Sequence, residues 1–239
     1  MPSKARREEQ MKSEDAHQEK VSGFFRRRVE IWDAVYGTPS RFWRWFNRVF
    51  RKAIYLRAEL AIRAAVEHNC RSVLDVGCGS GRISCLLAAS GVDRVHGVDV
   101  APPMIDLART LAREQGAADA CEFTVGDFME MDFPERYDGV IALGVLEYVS
   151  DPAAFLRKMR QCARTFIFFS IPSPTLVRSP LRKLRYALRS CPVHFYRRSR
   201  IASLMREAGF ERFDLNRATL DGYMVTGWAD PGAGPPLGE

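Results

Sequence analysis

The sequence has no CxxC pair among its six cysteines (Cys70, Cys78, Cys85, Cys121, Cys162 and Cys191) and no HExxH to bring two histidines together. Zinc-site spacing is therefore absent, and no metal is expected. No apolar run approaches the roughly 20 residues that a membrane-spanning helix needs. The first twenty residues are dense in charge and lack an apolar stretch, so no secretory signal is read there. Reduced cysteines in a cytoplasmic protein are the simplest expectation. Internal repeats are also lacking.

What is present suits a globular chain. Apolar residues make up 46% and charged residues 27%, enough apolar material for a core under a charged surface. The 239 residues fit one domain of roughly 200 residues with terminal extensions. The formal charge of +7 is concentrated in two runs. One comprises Arg41, Arg44, Arg48, Arg51, Lys52 and Arg57. The other comprises Arg178, Arg182, Lys183, Arg185, Arg189, Arg197, Arg198 and Arg200. Two readings fit these runs: a solvated surface, or a face for an anionic partner such as an acidic metabolite, a membrane surface or nucleic acid.

Residues 1–20 read as a disordered charged arm. From Val21 to Tyr36 apolar residues recur at helical spacing, and Gly37-Thr38-Pro39 breaks them. Thr38 can cap a second helix that starts at Pro39 and runs to about Val66. The pattern then changes to short apolar strands alternating with helices. Strands are predicted at Arg71–Val76, Val95–Val100, Cys121–Val125, Tyr137–Leu143 and Thr165–Ile171. Helices are predicted at Ser80–Ala89, Pro102–Glu114 and from Asp151-Pro152 to Cys162. Such alternation indicates a parallel sheet covered on both faces, whose buried strands read as continuous apolar runs, as Phe166-Ile167-Phe168-Phe169 does. Ser173–Arg198 breaks the rhythm and reads as an insertion above the sheet. Ser199–Ala208 resumes as a helix. Arg212–Leu215 and Tyr223–Thr226 form two last strands, joined by a turn near Asp221-Gly222. The Gly/Pro-rich tail from Asp230 reads as disordered.

Three segments carry chemistry. Val73-Leu74-Asp75-Val76-Gly77-Cys78-Gly79-Ser80-Gly81 delivers a strand to a glycine loop from which a helix leaves. Glycine lets backbone approach a ligand closely, and a helix start offers unpaired N–H groups to an anion. The spacing is G-x-G-x-G, not the G-x-G-x-x-G of dinucleotide binders. Asp99 ends the next strand, where an acidic side chain can accept both hydroxyls of a ribose. Gly126-Asp127-Phe128 follows the third strand. A carboxylate there can take an adenine amine, with an aromatic neighbour to cover the ring.

With VLDVGCGSG, GVDVAPPMI, GDFMEMDF and YDGVIALGVLEYVSDP in order, residues 71–171 resemble the class I S-adenosylmethionine-dependent methyltransferases. The FF…W…Y pattern near the start is loosely similar to magnesium-protoporphyrin and ubiquinone-type small-molecule methyltransferases. The resemblance implies a Rossmann-like doubly wound α/β sheet, mostly parallel with an antiparallel last strand. N-terminal helices and a helical cap insertion would be added to it. One methyltransferase domain would span 21–229, with a helical cap at 21–69 and a cap insertion at 173–198. S-adenosylmethionine would be the cofactor and S-adenosylhomocysteine the product.

The resemblance also implies roles. Gly77, Gly79 and Gly81 would surround the methionine part, with Asp75 orienting the loop and Asp99 on the ribose. Val100 and Met104 would pack on adenine, and Asp127 and Phe128 would fix its amine and ring. Leu143, Gly144 and Val145 would line the path to the acceptor. Asp138 matches the acid that often starts this strand, or is a turn residue. No catalytic base is legible. Tyr148 and His194 are candidates for acceptor contact and for a general base, against packed or surface roles. Tyr36 as a lid and Arg57 as a partner of the cofactor carboxylate stand against packing and a solvated charge.

The strand-four end lacks the Asn/Asp-Pro-Pro-aromatic tetrad of base-amino methyltransferases, which disfavours nucleic acid. The expected activity is methyl transfer to a small acidic or amphipathic acceptor. The alternatives are a methyltransferase acting on RNA or protein and a catalytically silent cofactor-binding subunit. The arginine-rich segments near 41–57 and 173–198 would either cap the acceptor site or contact a membrane peripherally.

Overall fold

In a computed structural model, the structure describes residues 56–174, 193–219 and 222–230. The arm at 1–20, Tyr36, most of the helix expected from Pro39 and most of the 173–198 insertion lie outside the described residues, as does the 231–239 part of the tail.

The described chain begins in a helix, α1, over 56–67. Its inner face is built of small residues, Ala58, Ala61, Ala64 and Ala65, all buried, so the helix lies close on the sheet. Asn69 ends it in the left-handed region at φ 49°. The Cys70 and Asn69 N–H groups turn back to the Ala65 and Val66 carbonyls at 2.9 and 3.0 Å, which satisfies two of the last carbonyls.

Seven strands then form one sheet: β1 Ser72–Val76, β2 Arg94–Asp99, β3 Cys121–Val125, β4 Tyr137–Ala142, β5 Ala163–Pro172, β6 Phe213–Thr219 and β7 Gly222–Trp228. The helices between them are α2 Arg82–Ala89, α3 Pro102–Glu114, α4 Pro152–Cys162 and α5 Arg198–Glu207. The strand order is β3-β2-β1-β4-β5-β7-β6. Pairs from β3 to β5 are parallel. β7 enters antiparallel between β5 and β6. The expected doubly wound sheet with an antiparallel last strand is thus the fold observed.

Alternation along the strands divides the core in two. Phe166, Phe168, Val73, Val95 and Ile141 face α1, α2 and α3, where Ala61, Leu87, Ile105 and Ala108 meet them. Ile167, Phe169, Val140 and Ala142 face α4 and α5 and pack on Leu156, Met159, Ile201 and Leu204. This explains why β5 reads as an unbroken apolar run: both faces are covered. Asp151 caps α4 by accepting the Ala154 N–H at 3.0 Å, with Pro152 in the first turn.

Strand order reverses between β1 and β4. Chains leaving these two neighbours turn to opposite sides of the sheet, which opens a crevice at their C-terminal ends, where sheets of this kind bind ligands.

Candidate active site

The glycine loop stands over that crevice. Gly77, Gly79 and Gly81 all adopt positive φ, at 70°, 53° and 71°. The Gly77 and Cys78 N–H groups donate to the Val98 carbonyl at 2.7 and 3.1 Å, so the loop bends over β2. The first two glycines differ in their surroundings. A Cβ on Gly77 would meet Val145 Cγ2, because the loop after β4 lies against it. A Cβ on Gly79 would meet nothing within 4 Å. The loop thus presents bare backbone to open space at Gly79. Beneath it the Phe123 ring fills the room that side chains at Gly81 and Gly97 would otherwise take.

Asp99 borders this cradle. Its Oδ2 accepts the Gly79 N–H at 2.9 Å and its Oδ1 the Ala101 N–H at 2.9 Å. Each oxygen keeps a lone pair for a further donor. Burial pushes its carboxyl up from the ordinary aspartate range, against the two N–H donors. Asp75 is buried below the loop, and its Oδ2 accepts the Ser84 hydroxyl at 2.7 Å, which ties β1 to α2. Burial raises it to about 6; the Ser84 bond works against this and the charge of Asp99 adds to it.

The third segment adds Asp127, whose Oδ1 accepts the Met129 N–H at 2.8 Å. Gly126 N–H donates to the Asp99 carbonyl at 3.0 Å, so the loops after β2 and β3 are fastened together. Met104 is buried, and Val100 is half-buried beside Asp99 in sequence. The Phe128 ring follows Asp127 and turns inward. It is 4% exposed and stacks edge-on to Phe155 at 5.1 Å, with Lys158 Nζ 5.4 Å from its centre. The ring packs in the core beside α4 and anchors the loop after β3.

Across the crevice, Leu143, Gly144 and Val145 are half-buried at the end of β4. Gly144 has φ 76°, and its N–H donates to Ser170 Oγ at 2.8 Å. A Cβ there would lie 4.0 Å from Arg57 Nη1, which places this guanidinium at the β4 end. Tyr148, 9% exposed, belongs to a short 3-10 turn, Leu146–Tyr148. His194 is exposed on its way back to α5, and its N–H donates to the Glu147 carbonyl at 2.8 Å. The Tyr196 N–H donates to the Pro172 carbonyl at 2.9 Å. Tyr148 and His194 are thus brought to one end of the sheet.

Sequence reasoning missed Glu147, Ser173 and Tyr196. Glu147 is 3% exposed. Its signal was an acid inside the apolar run Val145-Leu146-Glu147-Tyr148-Val149. Burial pushes the Tyr196 phenol up to about 12, and Glu147 adds to that while Arg200 opposes it. Asp138 is structural. Its Oδ2 accepts the Arg71 and Ser72 N–H groups, both at 2.9 Å, and the Ser72 hydroxyl at 3.0 Å. His96 is structural too, held between the Tyr137 hydroxyl at 2.7 Å and Thr124 Oγ1 at 2.9 Å. Among the described residues no group of three or more His, Cys, Asp or Glu is placed to hold a metal ion.

Known proteins resemble this chain in sequence and in fold. The methyltransferase domain family matches residues 73–165. The ubiquinone biosynthesis O-methyltransferase of Bordetella avium (strain 197N) is 32% identical over 170 residues, which cover 65% of this chain and 68% of that protein. The chain belongs to the class I S-adenosylmethionine-dependent methyltransferase superfamily. The ajmaline N-methyltransferase of Rauvolfia serpentina is 34% identical over 99 residues, 41% of this methyltransferase-family chain and 34% of that enzyme. The chain therefore spans about a third of the latter's length and about two thirds of the former's. In fold it is similar to the crystal structure of magnesium protoporphyrin IX methyltransferase from Synechocystis PCC 6803 with bound SAH, with a TM-score of 0.71 at 20% identity. That match covers 89% of this chain and 99% of the other. No helix among the described residues is long and apolar enough to cross a membrane.

Proposed function

We propose that this protein transfers a methyl group from S-adenosylmethionine to a small acidic or amphipathic acceptor, with oxygen as the receiving atom. The observation that carries the reading is the open backbone cradle at Gly79, bordered by Asp99 at the crevice between β1 and β4. The residues fit the cofactor. Gly79 leaves no side chain in the way of its methionine part, and Gly77 and Gly81, both at positive φ, curve the loop around it. The free lone pairs of Asp99 accept the ribose hydroxyls, and Asp127 accepts the adenine amine. Val100 and Met104 supply apolar surface for the ring. Arg57, beside Gly144, is the candidate cation for the cofactor carboxylate. The ubiquinone O-methyltransferase relatives support oxygen as the acceptor atom.

When bound, S-adenosylmethionine supplies a methyl group already activated on a sulfonium. The protein then has two tasks. Leu143, Gly144 and Val145 shape the path along which the acceptor oxygen is held in line at near-attack distance. Tyr148 and the His194 imidazole, at the same end of the sheet, are the groups proposed to orient the acceptor hydroxyl and take its proton.

Calorimetry on the purified protein should show S-adenosylmethionine binding and no comparable binding of NAD. Binding of NAD without S-adenosylmethionine would remove the reading.

A further inference from the structure

The loop after β3 is fastened to α4 by a charged side chain. Lys158 is half-buried on α4, three residues after Phe155, so the two share one helix face. Phe155 meets the Phe128 ring at 5.1 Å, which brings the loop onto that face. Lys158 Nζ then donates to the Met129 carbonyl at 2.8 Å and to the Met131 carbonyl at 2.6 Å. A lysine on a helix surface ordinarily leaves its ammonium in water, and ordering its long side chain costs entropy. Here the ammonium has exchanged water for two carbonyls of one short loop.

That loop is a single turn. The Asp127 carbonyl accepts the Glu130 and Met131 N–H groups, both at 3.0 Å, and Asp127 Oδ1 accepts the Met129 N–H at 2.8 Å. Met129 therefore stands between two side chains. Its N–H is held by the Asp127 carboxyl group and its carbonyl by the Lys158 ammonium. The start of the turn is set by Gly126, whose N–H donates to the Asp99 carbonyl at 3.0 Å. Hydrogen bonds with an ionised partner are shorter and stronger than neutral ones, so the Lys158 end is a firm second clamp. The direction of the Asp127 carboxyl group follows the Met129 N–H, and the Met129 peptide follows Lys158.

We infer that Lys158 is a positioning residue for adenine recognition: acting through Met129, it holds the Asp127 carboxylate where that group accepts the exocyclic amine of the cofactor. This rests on the proposed role of Asp127 and gives Lys158 no contact with the cofactor. The effect of Lys158 must then appear in the part of the affinity that comes from the amine, and not in the rest.

Calorimetry with two ligands separates these parts. One is S-adenosylhomocysteine. The other is its deamino analogue, in which hydrogen replaces the adenine amine. The wild-type protein should prefer the first by about tenfold or more, the effect of one hydrogen bond to a charged acceptor. In Lys158→Met the preference should fall to about twofold, while affinity for the deamino analogue stays within about twofold of wild type. Lys158→Arg, which keeps charge and several donors, should restore the preference. Equal weakening of both ligands in Lys158→Met would make Lys158 a support of the whole fold, and an unchanged preference would make it a surface tie; either result overturns the inference. If circular dichroism shows Lys158→Met unfolded, Lys158→Gln takes its place. Its amide can hold one carbonyl and should give an intermediate preference, whereas a wild-type preference overturns the inference. A wild-type protein that binds both ligands equally removes the Asp127 role, and this inference with it, but leaves methyl transfer standing. A wild-type protein that binds neither removes the methyl-transfer reading itself.

Discussion

Around the glycine loop, Asp75, Asp99 and Asp127 each hold a donor from the protein itself: the Ser84 hydroxyl, the N–H groups of Gly79 and Ala101, and the Met129 N–H. At the ends of β4 and β5 the polar groups are handled differently. The segment 193–197 is fastened there by its backbone, while Ser173 Oγ has no partner among the described residues. The first region is assembled from one stretch of about fifty residues and is fixed before any ligand arrives. The second is assembled from residues around 147, 173 and 194, which are far apart in the chain. A division of this kind would suit a fixed cofactor site beside a separate acceptor site.

The sharpest way to break the comparison is Asp99→Ala. If the carboxylate serves the ribose, cofactor affinity should fall by about 2–4 kcal/mol, from two hydrogen bonds to a charged acceptor. Calorimetry would show it, and circular dichroism should report a folded variant. A folded variant with unchanged affinity would return Asp99 to a purely loop-holding role.

Asp75 tests how rigidly the first region is set. Its value in the folded protein, about 6, lies above the ordinary 3.8, so the folded protein holds this proton more tightly than the unfolded chain does. The stabilisation is fully present below the unfolded value and is lost as pH rises through the folded one. Urea titrations should therefore show the wild-type protein losing up to about 3 kcal/mol relative to Asp75→Asn between roughly pH 4 and 7. Parallel pH profiles in the two proteins would place Asp75 in a wetter setting than the structure gives it.

Asp138 should give the smallest effect, and one confined to stability. Burial raises its pKa, but the N–H groups of Ser72 and Arg71, the Ser72 hydroxyl and Arg164 outweigh burial and hold the carboxyl below the ordinary range. Its contribution is present above the unfolded value and is lost as pH falls through the depressed folded one. Asp138→Ala should lower the unfolding free energy by about 2 kcal/mol near neutral pH. S-adenosylmethionine affinity should not change; a loss of affinity without loss of stability would move Asp138 into the site.

The first region was the legible one. α3, α4 and β3 occupy the spans that Pro, Asp-Pro and apolar patterning predicted, because local rules of capping and periodicity decide them. The G-x-G-x-G spacing led directly to three positive φ angles. The sequence was less informative where a side chain has to choose between neighbours distant in the chain. The sequence points to Phe128 as a ring at the cofactor, and does not reveal its packing against Phe155, Phe133 and Lys158. Ser173 is one serine among several in the chain until β5 is seen to end beside 194–196. β6 extends to Thr219, beyond the predicted Leu215, because its pairing with β7 supplies a ladder that Asn216 and Arg217 would not suggest by themselves.

The placement of β7 bears on how the chain is made. Among the described residues β6 pairs only with β7, and the antiparallel edge of β5 is covered by β7 alone. On the ribosome, Phe166-Ile167-Phe168-Phe169 is translated some fifty residues before its partner, so an apolar strand edge waits unpaired until residues 222–228 emerge. Closure of the sheet is thus a late, long-range event, and the interval before it is when the nascent chain is most exposed to aggregation and most in need of a chaperone.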